Sequence, residues 1–273
     1  MNVIARDLET ENTALRDELE RTRMQLRRME EIKRSFIALA ADELRTPLTI
    51  LFGYAKLLSD CTEAEREKYA GIIAMYSWQL KNTVDAIIAL QLLDSGELVL
   101  RQEPLPLVEI MQTAVESRRS EITAKALVVE SDLSADLYVR ADRERLALIL
   151  AQLLSNSIKY SADSGVITIN AHTQQASVVI SIRDNGIGIP DEELPHVFER
   201  FYQGGGGPLT RQFRGMGLGL AVAQGLIELH GGAIEVESAT NQGSTFRFTL
   251  PRALPNAQAQ PNAAILQDTR IMR

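Results

Sequence analysis

The sequence predicts two fold classes in succession, an all-α helical hairpin followed by an α/β sandwich. Two long stretches with a helical periodicity of apolar residues make up the first part. Short strand-like runs that alternate with helical stretches make up the second. The pattern changes from long helical stretches to short alternating elements at DSGELVLRQEPLPL, where we place the domain boundary. We therefore expect four segments, which cover residues 1–30, 31–98, 99–252 and 253–273.

Residues 1–30 contain no Gly or Pro and carry a seven-residue repeat. The repeat comprises Leu8, Leu15, Thr22 and Met29, interleaved with Asn12, Leu19 and Leu26. This pattern predicts a parallel coiled coil, in which a polar Asn at a core position often sets register. A single amphipathic helix with a solvated charged face is the alternative interpretation. The length of the repeat, about four heptads, favours the coiled coil.

The hairpin is expected to consist of one helix that ends near Leu58 and a second from about Ala64 to Leu93. Thr62 and Glu65 have the spacing of a capping box, which marks a helix N-terminus. Pro47 lies inside the first helix and is expected to kink it. Because neither helix can bury its apolar stripe alone, we expect a second copy to complete a four-helix bundle.

The second part is expected to place its helices on one face of a sheet. The predicted helices cover 108–125, 142–159 and 217–229. The predicted strands are LVVESDL, LYVRAD, GVITINA, SVVISIRD, AIEVESA and STFRFTL. The tail from Ala253, rich in Ala, Asn, Gln and Pro, is expected to be disordered.

Composition and charge exclude several classes of protein. The net charge of -7 argues against a dedicated surface for nucleic acid or anionic membranes. The single cysteine, Cys61, excludes an internal disulfide and a zinc cluster, and favours a reducing compartment. The longest apolar runs are too short for a transmembrane segment, and the N-terminus lacks a signal-peptide core. We therefore expect a cytoplasmic location.

Three segments of the second part carry residues suited to a binding site. In LLSNSIKYS, Asn156 and Lys159 share a helix face; an amide oxygen suits Mg²⁺ and a lysine suits phosphate. In DNGIGIP, Asp184 can accept a hydrogen bond from an exocyclic amine, while Gly186 and Gly188 let the backbone approach a ring closely. In GMGLGLAVAQGLIELHGG, glycines open a helix whose N-terminus suits an anion.

These segments, with FERFYQ between the last two and NQGSTFRFTLP at the end, resemble the ATP-binding domain of sensor histidine kinases. The superfamily also includes gyrase, Hsp90 and MutL, and its fold is the Bergerat fold. The resemblance covers about residues 31–252. It implies a dimerisation and phosphotransfer-like hairpin at 31–98, an ATP-binding domain at 99–252, and ATP and Mg²⁺ as cofactors. Residues 1–30 would then be a coiled-coil signalling helix.

The resemblance also implies roles for individual residues. Asn156 matches the Mg²⁺ ligand, and Gln152 is a candidate second ligand because it stands where the family usually has another Asn. Arg200 matches the arginine that helps to handle the terminal phosphate, and QGGGGPLTRQFR matches the mobile lid. The other residues implied to contact the nucleotide are Lys159, Tyr160, Asp184, Gly186, Gly188, Phe198, Phe201, Gly215, Gly217, Leu218 and Gly219.

The first hairpin helix departs from the family at the phosphoacceptor position. The string ADELRTPL resembles SHELRTPL, with Phe36 and Glu43 also matching, but Asp42 stands in the place of the histidine. Glu43 is where the family has its base. A carboxylate is already ionised at neutral pH, yet it is a weaker nucleophile on a shorter arm, and its attack would form an acyl phosphate. We expect autophosphorylation at Asp42 to be absent or very slow.

Several functional interpretations remain open. The chain can be an ATP-binding pseudokinase that signals by conformation, as a homodimer that docks a response-regulator receiver domain. A missing N-terminal sensor domain is a further possibility, which also keeps the engineered change described below open. It can be a phosphatase, since Glu43 and Thr46 preserve the acid-x-x-Thr spacing that positions a water. It can also be an ordinary histidine kinase with an engineered His-to-Asp change. A chaperone-like ATPase is disfavoured by the ELRTPL hairpin. Three histidines, His172, His196 and His230, are expected to be structural or on the surface.

Overall fold

The computed structural model describes residues 20, 22–24, 27, 37–59, 61–204 and 216–254. The chain divides into two units, residues 1–46 and 47–273. Residues 20, 22–24 and 27 are helical, but most of the predicted coiled coil lies outside the described residues. So do Phe36, Gly215, most of the predicted lid and the tail beyond residue 254. The coiled coil therefore stays a prediction.

Two helices form the predicted hairpin. Helix α1 covers residues 37–57, crosses from the first unit into the second, and runs through Pro47 without a break; the kink there stays a prediction. Helix α2 covers Glu63–Ser95. The Glu65 carboxylate accepts a hydrogen bond from the Thr62 backbone N–H at 2.9 Å, as the capping-box spacing predicts. The rings of Tyr54 and Tyr69 lie 5.4 Å apart beside the turn, as in an antiparallel pair.

The remaining elements form two sheets and a helical layer. The strands are β1 Glu103–Pro106, β2 Val128–Asp132, β3 Tyr138–Ala141, β4 Val166–Gln174, β5 Ser177–Asp184, β6 Ile234–Ser238 and β7 Ser244–Pro251. Strands β1 and β3 form an antiparallel pair. The other five have the order β2-β4-β5-β7-β6, in which β2 and β4 are parallel and the other neighbours antiparallel.

The helices are α3 Leu107–Glu116, α4 Arg119–Ala124, α5 Arg143–Tyr160 and α6 Gly219–Leu229, with a short 3-10 helix at Leu194–His196. The prediction of one helix over 108–125 is wrong, because the chain leaves the helix at Ser117 and Arg118. The break places the Arg118 guanidinium in a buried position, where it donates to the Ala151 carbonyl at 3.0 Å. The sequence pattern does not predict strand β1, because two of its four residues are prolines, which rarely occur inside strands.

The core lies between α5 and the large sheet, as the predicted sandwich requires. Alternate side chains of the three central strands are at most 3% exposed: Ile167, Ile169, Ile180, Ile182, Phe246 and Phe248. They face fully buried α5 residues such as Leu146, Ile149 and Leu153. Strand β5 is the middle strand of this sheet and ends at Asp184, so this residue lies at the centre of the sheet edge. Within the part of the chain that the structure describes, no helix combines the length and apolar character needed to cross a membrane.

Candidate nucleotide-binding site

The C-terminal turn of α5 is held from outside by a lysine. The Lys125 ammonium donates to the carbonyls of Ile158, Lys159 and Ser161, each at 2.9 Å. A cation at this end also suits the negative end of the helix dipole. The lysine therefore fixes the turn from which the predicted site side chains project. Sequence reasoning missed this residue, because its partners are backbone carbonyls more than thirty positions away.

Four half-buried side chains project from this part of α5: Gln152, Asn156, Lys159 and Tyr160. Gln152 and Asn156 are one turn apart and share a face. The Lys159 ammonium lies 4.9 Å from the centre of the Tyr160 ring. Burial raises the pKa of the Tyr160 hydroxyl, so the ring stays neutral at physiological pH. The C-terminal half of α5 thus presents two amides, a cation and an aromatic ring.

Asp184 ends β5 as a buried carboxylate, 3% exposed. Its Oδ1 accepts hydrogen bonds from the backbone N–H groups of Gly186 at 2.9 Å and Ser244 at 3.3 Å. Burial raises the pKa of Asp184, and these hydrogen bonds partly oppose that shift. Both bonds orient the carboxyl group through the same oxygen. A buried acid that the backbone holds in one orientation is an arrangement suited to recognising a ligand.

The segment after Asp184 lies directly against the end of α5. The backbone N–H of Ile187 donates to the Tyr160 carbonyl at 3.2 Å, and a Cβ on Gly186 would lie 2.2 Å from that carbonyl oxygen. Gly188 has φ +68°, and a Cβ there would lie 1.9 Å from the carbonyl oxygen of Ala239. Any side chain at Gly188 would therefore be both strained and obstructed. The glycines bring the first two predicted segments together.

The third segment joins the same place through the start of α6. The backbone N–H of Phe201 donates to the Gly217 carbonyl at 2.9 Å. Gly217 has φ +64°, which a residue with a side chain rarely adopts. Phe201 itself has φ +65°, a strain of about 1–3 kcal/mol that this pairing maintains. A Cβ on Gly219 would lie 2.5 Å from Oε1 of Gln152, so the α5 amide stands beside the first residue of α6.

The N-terminus of α6 is suited to an anion. The residue before the helix is Leu218, whose side chain is 2% exposed and cannot accept a hydrogen bond. The first N–H groups of a helix have no partner inside it, and the helix dipole adds positive potential there. Phosphate binds readily at such ends. Since the Leu218 side chain belongs to the core, any ligand contact at this position falls to its backbone.

The segment FERF places its aromatic and basic residues apart from each other. The half-buried Phe198 ring packs edge-on against the core residue Phe246, with centroids 6.4 Å apart. Arg200 points to the end of α2, where Nη1 donates to Oδ2 of Asp94 at 2.7 Å. The sequence gives no sign of this partner, because the two residues are 106 positions apart.

No carboxylate cluster accompanies Asn156. Among the described residues, no group of three or more His, Cys, Asp or Glu side chains is arranged to hold a metal ion. A Mg²⁺ ion commonly takes one or two protein ligands and completes its shell with phosphate oxygens and water. The Asn156 amide oxygen can supply one such ligand, so its chemistry fits a metal that is bound mainly through phosphates.

The acceptor segment on α1 is exposed. The Asp42 side chain is 71% exposed, and its Oδ1 lies 3.0 Å from Nη1 of Arg45. The Thr46 hydroxyl donates to the Asp42 backbone carbonyl at 3.4 Å, near the limit for a hydrogen bond. Glu43 is half-buried. The segment thus presents a carboxylate and a hydroxyl to solvent on one helix.

The three histidines occupy one buried position and two surface positions of the second unit. His230 is 2% exposed, and its Nε2 accepts the Asp142 backbone N–H at 3.0 Å while Nδ1 donates to the Leu226 carbonyl at 2.7 Å. Burial lowers the pKa of His230. His196 pairs with Glu199 at 2.8 Å on the surface, and His172 is exposed on β4. The expectation that all three are structural or superficial agrees with these positions.

Two protein-family models match the chain. The His Kinase A (phospho-acceptor) domain matches residues 32–96. The histidine kinase-, DNA gyrase B- and HSP90-like ATPase matches residues 141–254. The two matches fall on the helical hairpin and on the α/β domain that carries the candidate site.

Individual proteins give the same result. The sensor protein DivL of Caulobacter vibrioides is 31% identical over 85% of this chain and 30% of its own length. The sensor histidine kinase WalK of Bacillus subtilis is 31% identical over 82% of this chain and 37% of its own. The chain thus spans about a third of the length of these relatives. The solved histidine kinase ThkA, in complex with the response regulator protein TrrA, has a TM-score of 0.53 and 25% identity, and the match covers 83% of this chain and 64% of ThkA.

Proposed function

Because this chain belongs to the sensor histidine kinase family by both of its domains, we propose that it is a two-component signalling protein that binds Mg-ATP without phosphorylating itself at Asp42. It communicates with a response regulator through the state of its hairpin. The proposal has a nucleotide half, which rests on the α/β domain, and an acceptor half, which rests on α1.

The observation that carries the nucleotide half is the orientation of Asp184. Its Oδ1 is engaged by the backbone N–H groups of Gly186 and Ser244, so we assign Oδ2 to the exocyclic amine of adenine. A site built to pair with a particular polar group rejects analogues that lack it, because its own buried group is then left unpaired. The raised pKa of Asp184 stays compatible with a carboxylate acceptor at neutral pH, since an adenine amine stabilises the ionised form.

The phosphates belong at the start of α6. The helix N-terminus supplies N–H groups, and the Gln152 amide approaches it from α5, one helical turn before Asn156. Lys159 supplies a cation on the same turn as Asn156. When bound, Mg-ATP would supply the phosphoryl group that kinases of this family transfer, and Asn156 would hold the metal through its amide oxygen. Each of these residues binds or orients; none of them is placed to accept the phosphoryl group.

The acceptor half rests on the chemistry of Asp42. Its carboxylate is exposed and paired with Arg45 at 3.0 Å, so part of its negative charge is already balanced by a neighbour. An exposed pair of this kind is worth at most about 1 kcal/mol. The larger effect is intrinsic, since a carboxylate is a weaker nucleophile than an imidazole and would yield a reactive acyl phosphate. Both effects act against autophosphorylation.

The partners follow from the family. The hairpin matches a domain described as a phospho-acceptor domain, and the ThkA structure contains a response regulator. Apolar side chains on the hairpin are strongly exposed in the single chain, including Leu48 at 58% and Phe52 at 74%. We assign this apolar surface to a second copy, in a four-helix bundle.

A phosphatase role is the second candidate. Thr46 is exposed, and its hydroxyl makes a long 3.4 Å contact to the Asp42 carbonyl. It lies three residues after Glu43, the spacing expected for an acid and a hydroxyl that position water. In this interpretation Thr46 orients a water against the phosphoaspartate of a response regulator, and the loss of the histidine does not matter.

A nucleotide titration tests the first half. We expect Asp184→Asn to lower the affinity for Mg-ATP at least about tenfold. The two backbone donors need an acceptor at the Oδ1 position, so the new amide would turn its NH₂ group towards the adenine amine. Asp132→Ala, an exposed aspartate at the end of β2, is the matched control and should leave affinity unchanged. Equal affinity in wild type and Asp184→Asn would defeat the site assignment.

Dephosphorylation of a cognate regulator tests the second candidate. Wild type should accelerate loss of phosphate from the regulator, and Thr46→Ala should remove that acceleration. Thr49→Ala, one turn further along the same helix, serves as the control. A rate that Thr46→Ala leaves untouched would eliminate the phosphatase role and keep the conformational one.

A further inference from the structure

Three contacts join the C-terminal half of α2 to the α/β domain. The guanidinium carbon of Arg118 lies 3.8 Å from the centre of the Trp78 ring. Leu93 packs against α6, where a Cβ on Gly225 would lie 2.8 Å from its Cδ1. The next residue, Asp94, pairs with Arg200. All three contacts lie within the second unit, and together they seat the domain on the hairpin helix.

The pair between Asp94 and Arg200 has the geometry of a bidentate clamp. Nη1 of Arg200 donates to Oδ2 of Asp94 at 2.7 Å, and Nη2 pairs with Oδ1. Two parallel bonds of this kind are how arginine binds both carboxylates and phosphates. Arg200 therefore already holds, through the same donors, a group that resembles the one it is expected to meet in the nucleotide.

Arg200 also lies next to the candidate phosphate site. It directly precedes Phe201, whose N–H donates to the Gly217 carbonyl two residues before α6 begins. The Arg200 and Asp94 side chains are 50% and 39% exposed. Surface pairs of this exposure are weak and are screened by salt. A triphosphate carries more charge than one carboxylate, so it can displace Asp94 from the arginine.

We propose that Asp94 is a built-in competitor of the nucleotide phosphates for Arg200. The proposal rests on the nucleotide site proposed above and adds its regulation. Without nucleotide, Asp94 holds Arg200 and the domain stays seated on α2. When nucleotide phosphates draw Arg200 away, the clamp opens and the seating loosens. Nucleotide binding then changes the position of the α/β domain on α2, and this signal requires no phosphorylated histidine.

Trp78 is an intrinsic fluorescent probe for movement of the α/β domain on α2. Trp78 is the single tryptophan, and its ring is covered by a guanidinium that belongs to the α/β domain. Arg118 is 6% exposed and is anchored to α5 through the Ala151 carbonyl. If the domain moves on α2, the ring loses that cover. Trp78 emission therefore measures the seating without an added label.

The test combines Trp78 fluorescence with titration of Mg-ATP. In wild type, saturating Mg-ATP should change the emission. Asp94→Asn should show the changed emission before nucleotide is added and should bind Mg-ATP roughly fivefold more tightly, the equivalent of a surface pair of about 1 kcal/mol. Asp85→Asn is the matched control, since Asp85 lies on the same helix and pairs within it, with Lys81. It should behave as wild type.

The outcomes separate this proposal from the one it rests on. If wild type binds Mg-ATP, but Asp94→Asn and Asp85→Asn have the same affinity and emission, the competitor role is overturned and the nucleotide site stands. If wild type does not bind Mg-ATP, both fail. In an Arg200→Gln background, Asp94→Asn should no longer raise affinity. A fivefold gain that persists there would show that Asp94 acts by general charge, against the proposal. Circular dichroism of each variant checks that it is folded.

Discussion

The candidate nucleotide site and the acceptor segment differ in how completely each is built. At the site, Asp184 is buried and oriented, glycines remove obstructing side chains, and Lys125 fixes the turn that carries Asn156. At the acceptor segment, the residues around position 42 match the family, but the reactive residue is an exposed aspartate paired with Arg45. The described part of the candidate site is thus buried and held in place by the backbone, whereas the acceptor segment presents an exposed carboxylate where our proposal requires a histidine for phosphate transfer.

This difference separates two properties, nucleotide binding and phosphate acceptance, that a match to the family would imply together. The proposed binding depends on residues that also stabilise the fold, since the Gly186 backbone packs directly against the Tyr160 carbonyl. The proposed loss of phosphate acceptance depends on one exposed side chain, Asp42, whose carboxylate pairs only with its own helix neighbour Arg45 among the contacts described above. A change at position 42 can therefore abolish a reaction while the binding domain persists, and the clamp between Asp94 and Arg200 offers that domain another way to signal.

The largest expected effect comes from restoring the missing part. Asp42→His should gain acid-labile phosphate from labelled ATP, at a rate at least about 100-fold above wild type, the lower range of what a positioned nucleophile and base contribute. Asp42→Asn is the control and should stay unlabelled. If Asp42→His also stays unlabelled while it binds Mg-ATP, the acceptor segment is deficient beyond position 42.

Glycine-to-alanine changes should have opposite signs at the candidate site and on the second helix of the hairpin. Gly186→Ala would place a Cβ 2.2 Å from the Tyr160 carbonyl oxygen, which is backbone and cannot yield. We expect a loss of about 1–3 kcal/mol in unfolding free energy and of at least about tenfold in Mg-ATP affinity. Gly71→Ala, in open space inside α2, should stabilise the protein by about 0.5–1 kcal/mol. Denaturant unfolding and titration measure both, and equal signs would contradict the comparison.

Lys125→Met should destabilise the C-terminal turn of α5, which carries part of the candidate site. It removes three charge-assisted hydrogen bonds to α5 carbonyls, so the unfolding free energy should fall by about 2 kcal/mol. Lys81→Met removes one exposed pair on α2 and should cost less than about 0.5 kcal/mol. Urea denaturation compares the two variants. Losses of equal size would mean that the α5 turn does not depend on the ammonium.

The smallest effect is a pH dependence centred on His230. Burial lowers its pKa below 6.5, so as pH falls from about 6.5 the unfolded chain takes up a proton that the folded chain does not. The contribution of His230 to stability is therefore present above this pH and is lost below it, by about 1.4 kcal/mol for each unit of pKa shift. Asp184, with its raised pKa, acts in the opposite direction and only in the acid range above 3.8.

Stability measured between pH 8 and pH 5.5 checks this expectation. His230→Gln should flatten the pH dependence, because glutamine keeps a donor and an acceptor without titrating. His172→Gln, at an exposed position of β4, should leave it as in wild type. If His172→Gln removed the pH dependence of stability and His230→Gln kept it, the assignment of this effect to His230 would be wrong.

The fold was predictable where local pattern decides it. Alternating apolar side chains predict six of the strands, and helical periodicity predicts α2 and α5. In each case the apolar residues of one face recur at a regular spacing in the sequence. The helix expected over 108–125 fails at Arg118, where a tertiary contact to the Ala151 carbonyl outweighs helix propensity. Strand β1 carries prolines, which the pattern penalises, yet it pairs with β3 along a single edge.

The site was predictable in part for a similar reason. Asp184 and the glycine segments stand out as motifs, because close backbone approach leaves a mark in the sequence. Lys125, Asp94 and the Arg118–Trp78 contact leave no such mark, since each depends on a partner far away along the chain. Gln152 was expected as a candidate metal ligand; the structure places its amide beside Gly219 at the start of α6. Its role as a ligand stays a prediction.

The central claim is that this chain binds ATP and does not accept its phosphate. One sample of wild type, incubated with γ-labelled Mg-ATP, tests both parts. Equilibrium binding is read first, and the protein is then denatured and assayed for covalent label. We predict saturable binding that Asp184→Asn weakens, and no label after denaturation. Covalent label that disappears in Asp42→Asn, or the absence of binding, would contradict the account.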